Sequence, residues 1–285
     1  MGLTELKEKD LLGLASLSKE EIELILDTAV RMKEILSRPL RKVPALRGRT
    51  VVSIFYEPST RTRVSFELAA KYLSADLVNI SSSASSAVKG ESLKDTARTI
   101  EALGADVVVI RHPQAGAAHL LAGTIGAAVV NAGDGAHEHP TQALLDLFTV
   151  KEKKGRLEGL KIAIIGDILH SRVARSNIWG FTRLGARVAV CGPATLVPPE
   201  IERTGVTVHH LIEEALADAD VVMMLRIQLE RQKAAFFPSL AEYSRLYCLT
   251  PERLAYARPD ALVMHPGPVN RGVEISPEVV EHPRS

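Results

Sequence analysis

A chain of 285 residues with 46% hydrophobic content is long enough for one large domain or two of ordinary size, and apolar enough to bury a real core. Its formal net charge of +1, with 24% charged residues, excludes the broad basic field of a nucleic-acid surface. Two cysteines, Cys191 and Cys248, exclude a disulfide framework and form no C-x-x-C metal pair, a usage that suits a reducing cytosol.

The N-terminal stretch MGLTELKEKDLLGL has no apolar core of signal-peptide type, so a cytoplasmic protein is expected. Ser18 and Glu21 spell a capping box, S-x-x-E, at the head of an amphipathic helix running to about Ser37. Apolar strands then alternate with helical stretches. TVVSIFY (50–56) precedes a helix from about Thr60, and DLVNI (76–80) leads through a serine-rich loop to a helix over about 92–103. DVVVI (106–110) is followed by a short helix and by AAVVNAG (127–133). The membrane-like stretch from Ala115 is broken by His119, Thr124 and internal glycines, and reads as that helix and strand rather than as a span. A long helix, PTQALLDLFTVKEKKG (140–155), comes next. LKIAIIGD (160–167), RVAVCGP (187–193), VTVHH (206–210), DVVMMLR (220–226) and ALVMHPGP (261–268) repeat the rhythm.

Continuous rather than alternating V/I/L/A runs mark strands buried on both faces, and intervening helices make the sheets parallel. The expected fold is therefore α/β, with about eight strands in two doubly wound domains joined by the long helix. The polar end of that helix, KEKKGRLEG, suggests a boundary near residue 150, giving domains 1–150 and 151–285.

Ligands of open α/β sheets bind beyond the carboxyl ends of the strands. After the first strand, Ser59 to Arg63 pack three hydroxyls and two arginines into five residues at a helix start. A single N-cap hydroxyl and solvated arginines would need less; free N–H groups, the helix dipole and a forked guanidinium suit an anion. After the second strand, SSSASSAVKGES (81–92) reads by itself as a surface loop. Arg111 follows the third strand, and His139 and Gln142 flank Pro140 after the fourth. His137 and His139 form H-x-H, but no third ligand follows at a metal-like spacing, so no metal is expected. In the second half, Arg172, Arg175, Arg226, Gln228 and Arg231 follow strands, and MHPGPVNR presents a proline-bounded backbone. There is no Walker A loop and no G-x-G-x-x-G run, so no nucleotide cofactor is expected; no G-x-S-x-G elbow marks a nucleophile. The pattern points to two anionic substrates and to catalysis by positioning and electrostatics.

PSTRTRVSFE, SSAVKGES, RHPQAGAA, NAGDGAHEHPTQALLDLFT, GDILHSRVARSN, LRIQLERQ and MHPGPVNR, in that order, resemble the signature of the aspartate/ornithine transcarbamylase family, and within it the aspartate carbamoyltransferase catalytic chains. The resemblance spans about residues 10–280. It implies a carbamoyl-phosphate-binding domain followed by an aspartate-binding one. It implies that Arg61, Thr62, Arg111, His139 and Gln142 bind carbamoyl phosphate, Ser59 and Thr60 cradle its phosphate, and the backbone at Pro266, Gly267 and Pro268 holds the carbamoyl amide. Arg61, Thr62, Arg111 and His139 would be the catalytic groups. Lys89, Arg172, Arg226 and Gln228 would hold aspartate, with Ser85 (or its neighbour Ser86) and Lys89 reaching in from an adjacent subunit of a homotrimer. No organic cofactor or metal is implied. Whether such trimers work alone, with regulatory chains or with a dihydroorotase stays open. The resemblance also implies a further helix beyond Ser285. An ornithine carbamoyltransferase would present a carboxylate and an HCLP run, where this chain offers Arg172, Arg226 and HPGP; a non-catalytic anion-binding subunit would lack some of the chemical residues.

Overall fold

In a computed structural model, which describes residues 5–81, 91–227 and 239–285, the chain forms two compact units, one ending at Leu144 and the other starting at Leu145. The first opens with α1 (Lys19–Leu36), whose capping box is complete: Glu21 N–H donates to Ser18 Oγ at 3.2 Å, and Ser18 N–H donates to Glu21 Oε2 at 2.8 Å. Then come β1 (Thr50–Phe55), α2 (Thr60–Tyr72), β2 (Asp76–Ser81), α3 (Leu93–Ala102), β3 (Val107–His112), α4 (Ala117–Ala122), β4 (Ala128–Asp134) and α5 (Pro140–Lys154), which runs on into the second unit. The second unit adds β5 (Lys161–Ile165), α6 (Arg172–Arg183), β6 (Arg187–Cys191), β7 (Thr207–His209), α7 (Ile212–Leu216), β8 (Val221–Met224), α8 (Leu240–Tyr247), α9 (Pro251–Leu254), β9 (Leu262–Met264) and α10 (Pro277–Val280). Nine strands thus stand among the described residues, against about eight expected.

The apolar runs do what two-sided burial requires. Val52, Ile54, Val108, Ile110 and Val129 pack with Ala97 and Ile100 of α3 and with Ala117, Ala118 and Leu121 of α4. Their alternate neighbours Val51, Phe55, Val109 and Ala132 cluster with Ala70 of α2 on the opposite face. In the second unit Ala163, Ile165, Cys191, Val222, Met224 and Val263 form one core with α7, α8 and α9, while Ile162, Ile164, Val221 and Met223 are also fully buried.

Every strand pair is parallel, in the orders β2-β1-β3-β4 and β7-β6-β5-β8-β9. Each sheet therefore has one topological switch, at β1/β3 in the first unit and at β5/β8 in the second, where the outgoing loops diverge and leave a crevice. The residues just before α1 cover the edge of the first sheet. Leu11 N–H donates to Val129 C=O at 2.8 Å, Asn131 N–H donates to Leu11 C=O at 2.9 Å, and Leu14 is wholly buried.

Candidate active site

The register places Phe55 beside Arg111, and His112 beside Asp134, so the segments leaving β1, β3 and β4 emerge side by side. Ser59 takes the N-cap position of α2 with extended backbone, yet its side chain makes no cap bond. Its hydroxyl donates instead to Thr62 Oγ1 at 2.9 Å. The first N–H groups of α2 thus get no acceptor from the Ser59 side chain, while the Ser59 carbonyl takes only the Arg63 N–H at 3.1 Å, and with the helix dipole these first groups form an anion-accepting end. Thr60, Arg61 and Arg63 are exposed there, while Ser59 and Thr62 are half-buried.

Arg111 is tethered next to this turn. Its Nη1 donates to Ala132 C=O at 3.2 Å, and its Nε lies 3.3 Å from Glu57 Oε2, with both side chains largely shielded from water. A shielded pair holds its geometry better than a surface one, which fixes the guanidinium plane at the strand end. His112 follows: burial holds its pKa below the usual histidine value, and Nδ1 accepts the Gln114 N–H at 3.0 Å. Its ring meets Tyr56 edge-on at 4.8 Å.

His139 is buried and closes the head of α5, its carbonyl accepting N–H groups of Gln142 (3.1 Å) and Ala143 (3.2 Å). Thr141 Oγ1 lies 3.4 Å from its Nδ1. The preceding residue, Glu138, is 2% exposed and accepts the N–H groups of Leu14 (2.7 Å) and Ala15 (3.3 Å). A Cβ at Gly13 would stand 2.3 Å from Glu138 Oε1, so a side chain there would have to displace this buried carboxylate. Ser59 to Thr62, Arg111, His139 and Gln142 therefore share the carboxyl edge of one sheet.

In the second unit the switch is crowded at Gly166, where φ is +134° and a Cβ would lie 2.8 Å from Leu225 C=O. Asp167, fully buried, accepts the His170 N–H at 3.1 Å and lies 2.9 Å from His170 Nδ1. Ser171 caps α6 by accepting the Ala174 N–H at 3.1 Å. Arg172, the first residue of α6, is only 3% exposed, so its charge is held where desolvation makes a partner necessary. Arg226, half-buried, stands two residues beyond β8, on the other side of the switch.

The neighbouring strand β9 runs into His265–Pro268, with φ +63° at Gly267 and a cis Gly267–Pro268 bond. His265 Nδ1 accepts the Gly267 N–H at 2.8 Å, so its other nitrogen carries the hydrogen and donates to Glu274 Oε1 at 3.1 Å. The same oxygen accepts the Asn270 N–H at 2.7 Å, and Glu274 is fully buried. This brace fixes the backbone at Pro266, Gly267 and Pro268. Lys89, Ser85, Ser86, Gln228 and Arg231 lie outside the described residues.

The bracing carboxylates Glu57, Glu138, Asp167 and Glu274 were not among the residues singled out by sequence. Glu57 and Asp167 sit just after strands, and that position was the available signal; nothing local marks Glu138 or Glu274.

Two family models match the chain: the carbamoyl-phosphate-binding domain of aspartate/ornithine carbamoyltransferase over residues 9–152, and the Asp/Orn-binding domain over residues 158–285. The aspartate carbamoyltransferase catalytic subunit of Pelotomaculum thermopropionicum is 70% identical, covering 96% of this chain and 88% of that one. Its counterpart from Moorella thermoacetica is 67% identical, over 97% and 90%. Among solved structures, aspartate transcarbamoylase from Trypanosoma cruzi in complex with N-(phosphonacetyl)-L-aspartic acid superposes with TM-score 0.88 at 32% identity, covering 100% and 91%. Ornithine carbamoyltransferase from Pyrococcus furiosus gives 0.87 at 31%, covering 99% and 92%, so the backbone alone does not separate the two acceptors. With both family models matched in sequence order over most of its length, the chain belongs to the aspartate/ornithine carbamoyltransferase family.

Proposed function

We propose that the chain is a catalytic subunit that transfers the carbamoyl group of carbamoyl phosphate to the α-amine of L-aspartate, giving N-carbamoyl-L-aspartate and phosphate for pyrimidine synthesis. The observation that carries this reading is the uncapped start of α2 beside the tethered Arg111, a pre-formed receptor for a phosphorylated, carbonyl-bearing substrate.

In this reading residues 1–150 bind carbamoyl phosphate and residues 151–285 bind aspartate. Ser59, Thr60 and the N–H groups of α2 hold the phosphate, joined by Arg61. Arg61, Thr62, Arg111 and His139 donate to the carbonyl oxygen, and Gln142 with the backbone at Pro266, Gly267 and Pro268 holds the carbamoyl NH2. The deprotonated amine forms the new N–C bond, negative charge gathers on the carbonyl oxygen, and the C–O bond to phosphate then breaks. The leaving phosphate takes the amine proton, so atoms and charge balance without a covalent enzyme intermediate. Loss of one donor to such an oxyanion typically costs ~3–4 kcal/mol, or about 10²–10³ in kcat. Arg172 and Arg226 grip the two carboxylates of aspartate in the forked geometry that lysine lacks, with Lys89 and Gln228 adding further contacts.

An ornithine acceptor is the second reading, favoured by the equal likeness of the ornithine enzyme's backbone. Against it stand two cationic groups at the second switch, where a cationic side chain would need a carboxylate, and the relatives at 60–70% identity that carry the aspartate name.

The assembly is a homotrimer, with Ser85 and Lys89 of one chain completing the site of its neighbour. The setting is cytoplasmic; two buried free thiols and the lack of any helix long and apolar enough to cross a membrane, among the described residues, are consistent with it. Shared sites are tested by mixing inactive Arg61→Ala chains with inactive Lys89→Ala chains. Recovered activity supports the sharing, and none contradicts it.

A further inference from the structure

The H-x-H pair at His137 and His139 does not come together as a chelate. His139 is buried at the head of α5, whereas His137 is partly exposed and faces Asp134. One partner of His137, Asp134, lies in its own turn, and the other comes from elsewhere in the fold. His119, on the exposed side of α4, stacks edge-on against it with ring centroids 5.4 Å apart. Each of His119, Asp134 and His137 offers one ligand atom within 4.8 Å of the other two.

We propose that His119, Asp134 and His137 form a binding site for a divalent transition-metal ion, distinct from the substrate-binding residues. Two imidazoles and one carboxylate, with no sulfur, are the donor set of Zn2+, Ni2+, Co2+ or Cu2+ rather than of Ca2+, Mg2+ or Cu+.

The carboxylate is prepared for this. Asp134 is 1% exposed and rigidly held. Its Oδ1 accepts from Asn131 Nδ2 (2.8 Å) and Glu138 N–H (3.2 Å), while Oδ2 accepts from Gly116 N–H (2.7 Å). A carboxylate has about four lone-pair sites; the one on Oδ2 that faces His137 is met by the imidazole Nδ1, which also lies 3.3 Å from Oδ1, and an ion would replace the proton of that contact. His137 Nδ1 stands 3.1 Å from that oxygen. An ion about 2.1 Å from both atoms would subtend roughly 95° between them, close to the right angle of an octahedral or square arrangement. Two ligands of one such ion lie at most ~4.2 Å apart, so from the 4.8 Å limit His119 would have to close by at least about half an ångström. As an exposed side chain it can do this by a small rotation. Water fills the remaining positions, which makes the site exchangeable rather than structural.

The backbone around the ligands is also set. His137 N–H donates to Asp134 C=O at 2.9 Å, and Asp134 N–H donates to Glu138 C=O at 3.2 Å, so the turn carrying two ligands is closed by its own bonds. The donors to Asp134 play the orienting role that outer groups play around metal ligands. A bound ion would tie α4 to the turn that leads into His139.

The test is calorimetric titration of the metal-free chain with Ni2+ and with Zn2+, repeated on His119→Ala, His137→Ala and His282→Ala. One ion per chain is expected, with affinity at least tenfold weaker in the first two variants and unchanged in the third. An anomalous-scattering peak among the three side chains in metal-soaked crystals is the expected structural result. Binding as strong in His119→Ala and His137→Ala as in the parent chain overturns the proposal, as does binding abolished by His139→Ala but not by His119→Ala. His119 is exposed, so its variant will fold and the decision does not depend on the buried ligand.

Discussion

Replacing Glu138 with glutamine should loosen the turn that carries His139. The carboxylate accepts Leu14 N–H at 2.7 Å in buried surroundings and Ala15 N–H at 3.3 Å, one on each oxygen. Glutamine keeps one acceptor and turns an NH2 toward the other donor. Its oxygen will stay with Leu14, where the bond is shorter and drier, leaving Ala15 N–H opposed. An unsatisfied donor costs about 1–3 kcal/mol, and changing a charged acceptor for a neutral one about 1 more, so ~2–4 kcal/mol in all. For a chain of this size that lowers Tm by roughly 3–7 °C. Gly13→Ala attacks the same contact from the other side, since its Cβ would stand 2.3 Å from Oε1. The double variant should therefore cost clearly less than the sum of the singles. The assay is thermal unfolding by circular dichroism, paired with KM for carbamoyl phosphate, expected to rise several-fold because His139 is the next residue. A Tm within about 1 °C of the parent chain, or strict additivity with Gly13→Ala, refutes the reasoning.

Three further outcomes follow from the geometry. Arg226→Lys should raise the KM for aspartate strongly while binding of carbamoyl phosphate survives; equal loss of both sinks the assignment of Arg226. Glu274→Ala removes the acceptor of both His265 Nε2 and Asn270 N–H and should cost about 2–4 kcal/mol in urea unfolding, with a fall in kcat. Glu274→Gln, which keeps one oxygen, should recover much of both; a glutamine variant as damaged as alanine argues against the brace. Burial pushes the Cys191 thiol up to about 12. At pH 8 its thiolate fraction is thus about 10³ lower than that of an ordinary cysteine, and a thiol reagent should leave it unmodified in the native chain. Rapid native-state labelling at Cys191 contradicts that burial.

The fold was legible because its strands carry a two-sided signal. Val52 and Ile54 enter one core and Val51 and Phe55 the other, so an unbroken apolar run is what a parallel strand between helix layers must show. The cationic and hydroxyl residues were legible because they follow strands directly, and the two switch points lie where Ser59 to Arg63, Arg111, Arg172 and Arg226 stand. The supporting carboxylates were not legible. Glu138 finds its donors 124 and 123 positions earlier, and nothing near it in sequence announces them. Glu274 resembles any loop glutamate until the turn at Gly267 brings His265 onto it. The N-terminal segment that covers β4 was missed for the same reason, since a single bridge at Leu11 has no periodicity. His137 was paired with its sequence neighbour His139, whereas the turn sends it to Asp134 and His119.

Under the proposed function, the two arginines at the second switch select a dianionic acceptor. The most direct measurement supplies the purified chain with carbamoyl phosphate and equal amounts of L-aspartate and L-ornithine, and identifies the carbamoylated products by mass. Carbamoyl-aspartate with no detectable citrulline is the expected result. Citrulline as the main product would contradict the account of the second unit, even with every group of the first unit correctly placed.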